Sequence, residues 1–327
     1  MNYQGAYKDK PNSRKTLFYR LENTSRQELY TSMYPNMLMD DMHLGIMPIG
    51  GRSRRPGFSI SIKPQSKEVE GLIVKGFPSR MSYQADLTKA VCDFIDEESH
   101  ALALFGKTYY EIVYFYSDRE RTKIEGFILE SLPPYCIKHA LGMYWQFIPQ
   151  EALKYIERHK KFVWLPKDYL LSISIPKELG GTKKHLKVLS DLQWLSKETI
   201  PEFAMNDMAE QNQTKGYDFL LYKSAQNVFL AKTSRHLGWT ARNMFSDQSL
   251  EMYQIYRTML FERSKAIIRE HFLALMNKTL QVVGGKMGFQ AEILIEGIPT
   301  RIDYDKYIKQ LLGGTLQFSE AVKLMRI

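Results

Sequence analysis

The sequence predicts an α+β protein, on three observations: a hairpin pattern near the middle of the first half, strand-length runs around it, and helical periodicity that dominates after residue 180. Residues 1 to 57 read as an extended arm, punctuated by Pro11, Pro35, Pro48, Gly45, Gly50, Gly51 and Gly57 and carrying the basic run Arg52-Ser53-Arg54-Arg55. Phe58 to Ile62 alternates apolar and polar, which is a strand by period two. From Ser82, a plausible N-cap, the apolar positions Leu87, Val91, Phe94, Ile95 and Leu102 recur at helical spacing, and the helix should stop at Gly106. Tyr109 to Tyr116, a polar turn, and Phe127 to Leu132 form a hairpin closed by Pro133-Pro134. Shorter strands follow at Met143 to Ile148, Lys161 to Leu165 and Tyr169 to Ile175.

Beyond Gly180-Gly181, Leu186, Leu189, Leu192 and Leu195 mark a helix, which Pro201 restarts or kinks. Tyr217 to Tyr222 and Asn227 to Leu230 read as two short strands. Asp247 then caps a rod whose apolar positions run from Met252 to Met276 and whose end falls at Gly284-Gly285. At 1.5 Å per residue this rod is roughly 50 Å long, more than an ordinary domain needs. Phe289 to Ile295 alternates as a strand, and two short helices, Asp303 to Leu312 and Ser319 to Met325, complete the order.

Composition bounds the function. The chain has 327 residues, 44% hydrophobic and 25% charged, enough for a sizeable core and a prior of about two domains. Tyr7 to Pro11 is polar where a secretory signal would need an apolar stretch, and no apolar run approaches the ~18 residues of a membrane span. Two cysteines, Cys92 and Cys136, draw neither a disulfide framework nor a four-ligand zinc site. A reducing compartment follows as the simplest reading. The 45 basic against 36 acidic residues give +9, a modest excess that suits contact with phosphate polymer without demanding it. The 20 Tyr, 17 Phe and 16 Met point to bulky cores and extensive subunit contact, hence an oligomer.

Few patterns carry chemistry. Ala101-Leu-Ala-Leu-Phe-Gly106-Lys107-Thr108 satisfies a relaxed phosphate-loop spacing, but a helix precedes it and a strand follows, the reverse of what an anion cradle requires. Gly284-Gly285-Lys286-Met287-Gly288 reads as a helix terminus and turn. Cys136 and His139 lack a second ligand pair, the seven histidines are scattered, and no strained-nucleophile motif occurs. Asp40, Asp41 and Glu97 could serve a metal-dependent nuclease or similar DNA-processing enzyme, or simply be solvated. Arg235, His236, Trp239, Arg242 and Phe245 set cations among aromatics just before the rod. Either they form a projecting loop, or the aromatics pack under the rod while the arginines face water.

The order of elements, with Ala103-Leu-Phe-Gly-Lys-Thr-Tyr-Tyr-Glu-Ile in the first module and Tyr307-Ile-Lys-Gln-Leu-Leu-Gly-Gly-Thr-Leu-Gln-Phe-Ser-Glu-Ala-Val near the end, resembles the portal proteins of tailed bacteriophages. The resemblance spans most of residues 58 to 327. It implies an N-terminal arm (1–57), an α+β wing (58–181), stem helices with a small β clip at about 212–230 and a tunnel loop (182–246), a long wing helix and strand (247–300) and a helical crown (301–327). It also implies a homo-oligomeric ring, usually of twelve subunits, at one capsid vertex of the virion, assembled in the host cytoplasm. That ring is the channel for DNA packaging and ejection, and it docks the terminase large subunit, the major capsid protein and neck or adaptor proteins. Such a ring needs no cofactor, no metal and no catalytic residue of its own. Arg242, Arg235 and Lys232 would face the double-stranded DNA in the channel, and Arg52, Arg54 and Arg55 would make the arm's contacts. A non-portal capsid structural protein is the blander alternative.

Overall fold

The structure is a computed structural model that describes residues 7–9, 32–48, 51–53, 55–77, 86–118, 120–147, 162–198, 219–242 and 251–324. It is a mixed α+β fold whose largest sheet is antiparallel throughout. At its centre lies β3 (Lys107–Tyr116). One edge of β3 pairs with β4 (Ile124–Leu132); the other is shared by β8 (Leu170–Ser174) along Lys107 to Glu111 and by β1 (Tyr7–Asp9) along Tyr114 to Tyr116. Every residue of β3 from Thr108 to Tyr114 is buried, which a strand shows only when both faces are covered. Helices cover one face. On the other, Tyr109 and Leu132 meet Ile137 and Leu165 of a second sheet built from β5 (Ile137–Ala140), β6 (Met143–Phe147) and β7 (Phe162–Leu165).

The covering helices begin with α1 (Met33–His43), whose Tyr34, Leu38, Met39 and Met42 are buried together with Ile46 and Met47 just beyond it. This corrects the expectation of an arm for residues 33 to 48. Pro35 lies in the helix's first turn, where its missing N–H costs nothing. The strand β2 (Ser59–Lys63) presents Ile60 and Ile62 inward and leads to α2 (Lys67–Gly76), capped by the Ser66 hydroxyl, which accepts from the Val69 N–H. Next comes α3 (Leu87–Phe105), capped not at Ser82, which lies outside the described residues, but by Asp86, whose carboxylate accepts from the Lys89 N–H at 2.8 Å. Gly106, at φ +68°, ends it as expected. Phe94 of α3 centres an aromatic cluster, edge-on to Phe77 and Phe272 and tilted against Tyr110.

Two helices, α4 (Gly181–Glu198) and α5 (Phe219–Ser234), pack on one another and flank residues 199–218. The strands expected at 217–222 and 227–230, and with them the β character of the clip, give way to α5. Thr182 and His185 of α4 donate to the carbonyls of Gly106 and Ala103, tying the start of α4 to the end of α3.

The rod, α6 (Glu251–Met287), is 37 residues long, and its expected cap Asp247 lies outside the described residues. It runs through Gly284-Gly285 rather than ending there. The Phe289 N–H folds back to the Gly284 carbonyl at 3.0 Å across Gly288, at φ +81°, the bond pattern of a glycine C-cap. A Cβ at Gly284 would stand 2.3 Å from the Phe289 carbonyl oxygen, so that position tolerates only glycine. Lys286 sets its ammonium 4.5 Å from the Tyr114 ring centre and 4.3 Å from that of Tyr169. After the cap, β9 (Glu292–Glu296) pairs antiparallel with β2. The helices α7 (Arg301–Leu312), opened by a Thr300/Asp303 capping box, and α8 (Phe318–Leu324) follow.

Candidate functional site

Of the sequence-derived candidates, one group is drawn into a built junction. The chain leaves α5 at Ser234, turns through Arg235 to Gly238, and reaches Trp239 and Arg242 before residues 243–250, which lie outside the described residues together with Phe245. Gly238 sits at φ +80° so close to α6 that a Cβ would fall 2.5 Å from both the Arg257 carbonyl oxygen and the Phe261 nitrogen. That contact requires glycine. The turn's carbonyls, buried and outside any sheet, need donors. Arg257 of α6 supplies them: Nη2 donates to the Trp239 carbonyl at 2.6 Å and Nε to that of Gly238 at 3.4 Å. The Ser264 hydroxyl donates to the Leu237 carbonyl at 3.0 Å.

The third wall is α1. Trp239 is buried, and its indole Nε1–H donates to Asp41 Oδ2 at 2.8 Å. Arg242 reaches the other oxygen, Oδ1, through Nε at 2.9 Å and Nη2 at 2.6 Å. Asp41 thus holds the two ends of the Trp239–Arg242 segment at once. Ala241 and Arg242 both adopt left-handed backbone angles, φ +53° and +61°, unusual for residues with a Cβ. Hydrogen bonding to Asp41 raises the Arg242 pKa further, so the guanidinium stays charged. His236, by contrast, is pushed down to about 4, first by burial and then by the nearby Lys184 and His185 cations, and is neutral at pH 7.

Both readings of this segment thus hold in part: Trp239 packs under the rod, while the Arg242 side chain remains 56% exposed yet paired. Lys232 and Arg235 are exposed. The remaining candidates scatter. Arg52 is exposed, Arg55 is half-buried near Arg269 and Tyr304, and Arg54 lies outside the described residues. Lys107 opens β3 after a helix cap, and the Gly106 carbonyl is already engaged by Thr182 and by the Ile175 N–H, so the phosphate-loop spacing has no loop behind it. Cys136 is buried, and His139 stacks on Tyr144 with ring centres 4.6 Å apart. Asp40, Asp41 and Glu97 do not gather: among the described residues no three His, Cys, Asp or Glu side chains converge to hold a metal ion. The role of Asp41 was invisible in the sequence because its partner Trp239 lies 198 positions away.

The junction performs no bond chemistry by itself. It fixes where the chain enters residues 243–250 relative to α1 and α6, and leaves a charged guanidinium partly open to solvent. No family model matches the chain, and no curated protein is significantly similar to it.

Proposed function

We propose that the chain is a portal-type subunit. Identical copies form a ring at one capsid vertex of a tailed phage, the channel through which double-stranded DNA is packaged and ejected and the dock for terminase and neck or adaptor proteins. The observation that carries this reading is the path of the chain. It leaves an α+β body at Gly181, runs out and back through α4 and α5, passes the Asp41-anchored junction, and re-enters the body along a 37-residue helix whose far end delivers β9 to β2. A body with a helical excursion and a spanning rod suits a subunit that contributes a sector of wall to a ring. The α5 helix fits this path better than a clip ending at residue 230 would, and leaves residues 199–218 to join the two stem helices.

A channel must pass DNA without gripping it, so phosphate contacts should be few, because each neutralised phosphate strengthens binding in a salt-dependent way. Asp41 partly neutralises Arg242, which tempers its attraction for phosphate, while Lys232 and Arg235 keep exposed charge. Coulomb attraction of such cations for phosphate is screened over about 8 Å at physiological ionic strength. Purified protein imaged in negative stain and weighed by native mass spectrometry should give closed rings with a central hole. Monomer alone at micromolar concentration would overturn the reading. Divalent-metal-dependent cleavage of duplex DNA, lost on Asp40→Ala or Glu97→Ala, would replace it with a nuclease.

A further inference from the structure

The small sheet β5–β6–β7 has two unlike faces. Inward, Tyr144, Gln146, Val163 and Leu165 lie against β3 and its neighbours, three of them fully buried. Outward, the register places Trp145 directly opposite Trp164 and Phe147 opposite Phe162. Period-two alternation adds Met143 to that face. Phe162 is 56% exposed, Trp164 49% and Met143 38%, and the Phe147 and Phe162 rings touch at 5.4 Å. An aromatic pair is thus presented twice on one outward surface, next to Lys138, which stands opposite Trp145. The three strands contain no carboxylate.

Elsewhere, a groove of about 1330 Å³ runs along the C-terminal part of α6. Its walls include Leu273, Ala274, Asn277, Gly285, Gly288 and Ala291, and at Gly285 and Gly288 a Cβ would meet nothing within 4 Å. Glu270 and Glu292 border it, with Lys63 and Lys278. The groove and the aromatic face share no residue.

We infer that the aromatic face of β6–β7 docks into the α6 groove of a second copy of this chain, so that each copy offers one face and one groove. Charge complementarity selects this occupant. Pairing two aromatic faces with each other would bring two copies of Lys138 together with no carboxylate on either sheet, whereas the groove supplies Glu270 and Glu292. An aromatic side chain hides about 150–250 Å² when fully buried. Four of them, each partly exposed, supply several hundred Å² of the roughly 800 Å² per partner that a stable interface needs. Because the two surfaces differ, the contact is head-to-tail, and such contacts close into a ring when the rotation per copy allows. The inference rests on the ring reading above and names the surfaces that build it.

The test uses the full chain. Trp164→Glu and Phe162→Glu should leave the circular dichroism spectrum and melting temperature unchanged while weakening subunit association at least tenfold. A Trp164→Cys/Gly285→Cys double variant, treated with a short bismaleimide, should give a ladder of covalent oligomers. Trp164→Cys alone should give none, since the native Cys92 and Cys136 are buried. Unsubstituted rings without any cross-link in the double variant would overturn the docking surfaces and leave the ring standing. Dimers formed by Trp164→Cys alone would overturn the groove as partner. Binding of a labelled single-stranded oligonucleotide that disappears in Trp164→Glu while rings persist would make the face a base-stacking platform instead. Monomer for the unsubstituted chain counts against the ring itself.

Discussion

Along α6, the stretch from Ile255 to Arg269 buries Arg257, Glu262, Ser264, Lys265 and Arg269, whereas the stretch from Phe272 to Val283 buries Phe272, Leu275, Met276, Leu280 and Val283, with Thr279 bonded to its own helix. Helix propensity does not explain the contrast, since both halves are regular helix. The neighbours do. The first half runs beside turns whose carbonyls have no strand to pair with: Leu237, Gly238 and Trp239 at the junction, Ile46 after α1 and Pro299 before α7. Its long side chains are the donors those carbonyls need. The second half runs beside β8, β9 and α3, whose backbones are already paired, and meets them with hydrocarbon. A helix takes its side chains from the state of the backbone it covers.

The contrast is broken most directly by exchanging its terms. Phe272→Ala should cost about 4 kcal/mol, the transfer and cavity cost of a buried aromatic, read as a fall in the denaturant midpoint without a change of slope. Arg269→Met should cost on the order of 3 kcal/mol even though it removes a buried charge, because the carbonyls of Ile46 and Pro299 lose their donors. Arg269→Lys should not restore it, since a single ammonium cannot span both acceptors. If Arg269→Met is as stable as the parent, the polar half is packing and not backbone satisfaction.

The same loop after α1 is held from its other side by Asp96, which accepts from the Met47 N–H. Burial first, and then the neighbouring Asp93, raises the Asp96 pKa from 3.8 to about 7 despite that bond. The unfolded chain ionises first as pH rises, so this group's stabilisation is complete below about pH 4 and is lost as pH climbs through about 7. Asp96→Asn should remove that loss, giving a variant more stable than the parent at pH 8 by about 2 to 4 kcal/mol and close to it at pH 4. His43, lowered by burial, carries the opposite slope, so the variant-minus-parent difference is the quantity to plot. A difference that does not vary with pH would place Asp96 in water.

Asp41→Ala should cost about 1 to 2 kcal/mol, mainly from the buried Trp239 N–H left without an acceptor, because the Arg242 pair is half in solvent and contributes little. Melting temperature measures it, and Asp41→Asn should recover more than half by restoring an oxygen for Trp239. The smallest effect belongs to Lys286→Ala, under about 1 kcal/mol for a cation removed from two ring faces.

Local patterns carried much of the fold. The Gly106 stop, the β3–β4 hairpin, the period-two strands at 59–63 and 292–296 and the last two helices all announce themselves within a few residues. What failed was set from a distance. Tyr34, Leu38 and Met42 have helical spacing, but Pro35 and the glycines beyond hid it, and burial against α3 and α4 decides it. The aromatic and β-branched run at 219–230 has strand composition, and packing on α4 makes it helical. Arg242 was singled out correctly as a charged residue near a turn, while the carboxylate that governs it belongs to an element read as structureless.

The glycine pair near the end of α6 sets a boundary in time as well as in space. Glycines inside a helix weaken it by roughly 1 kcal/mol each, and beyond them the last turn is held by the Gly288 cap and by the Lys286 ammonium between two tyrosine rings. Amide protons up to Val283 lie against the core and exchange with solvent deuterium only when the whole fold opens; those after Gly285 exchange through a local opening of that turn. Because that turn leads directly into β9, whatever seats itself along this end of α6 would be recorded as slowed exchange there before any change in the rest of the chain.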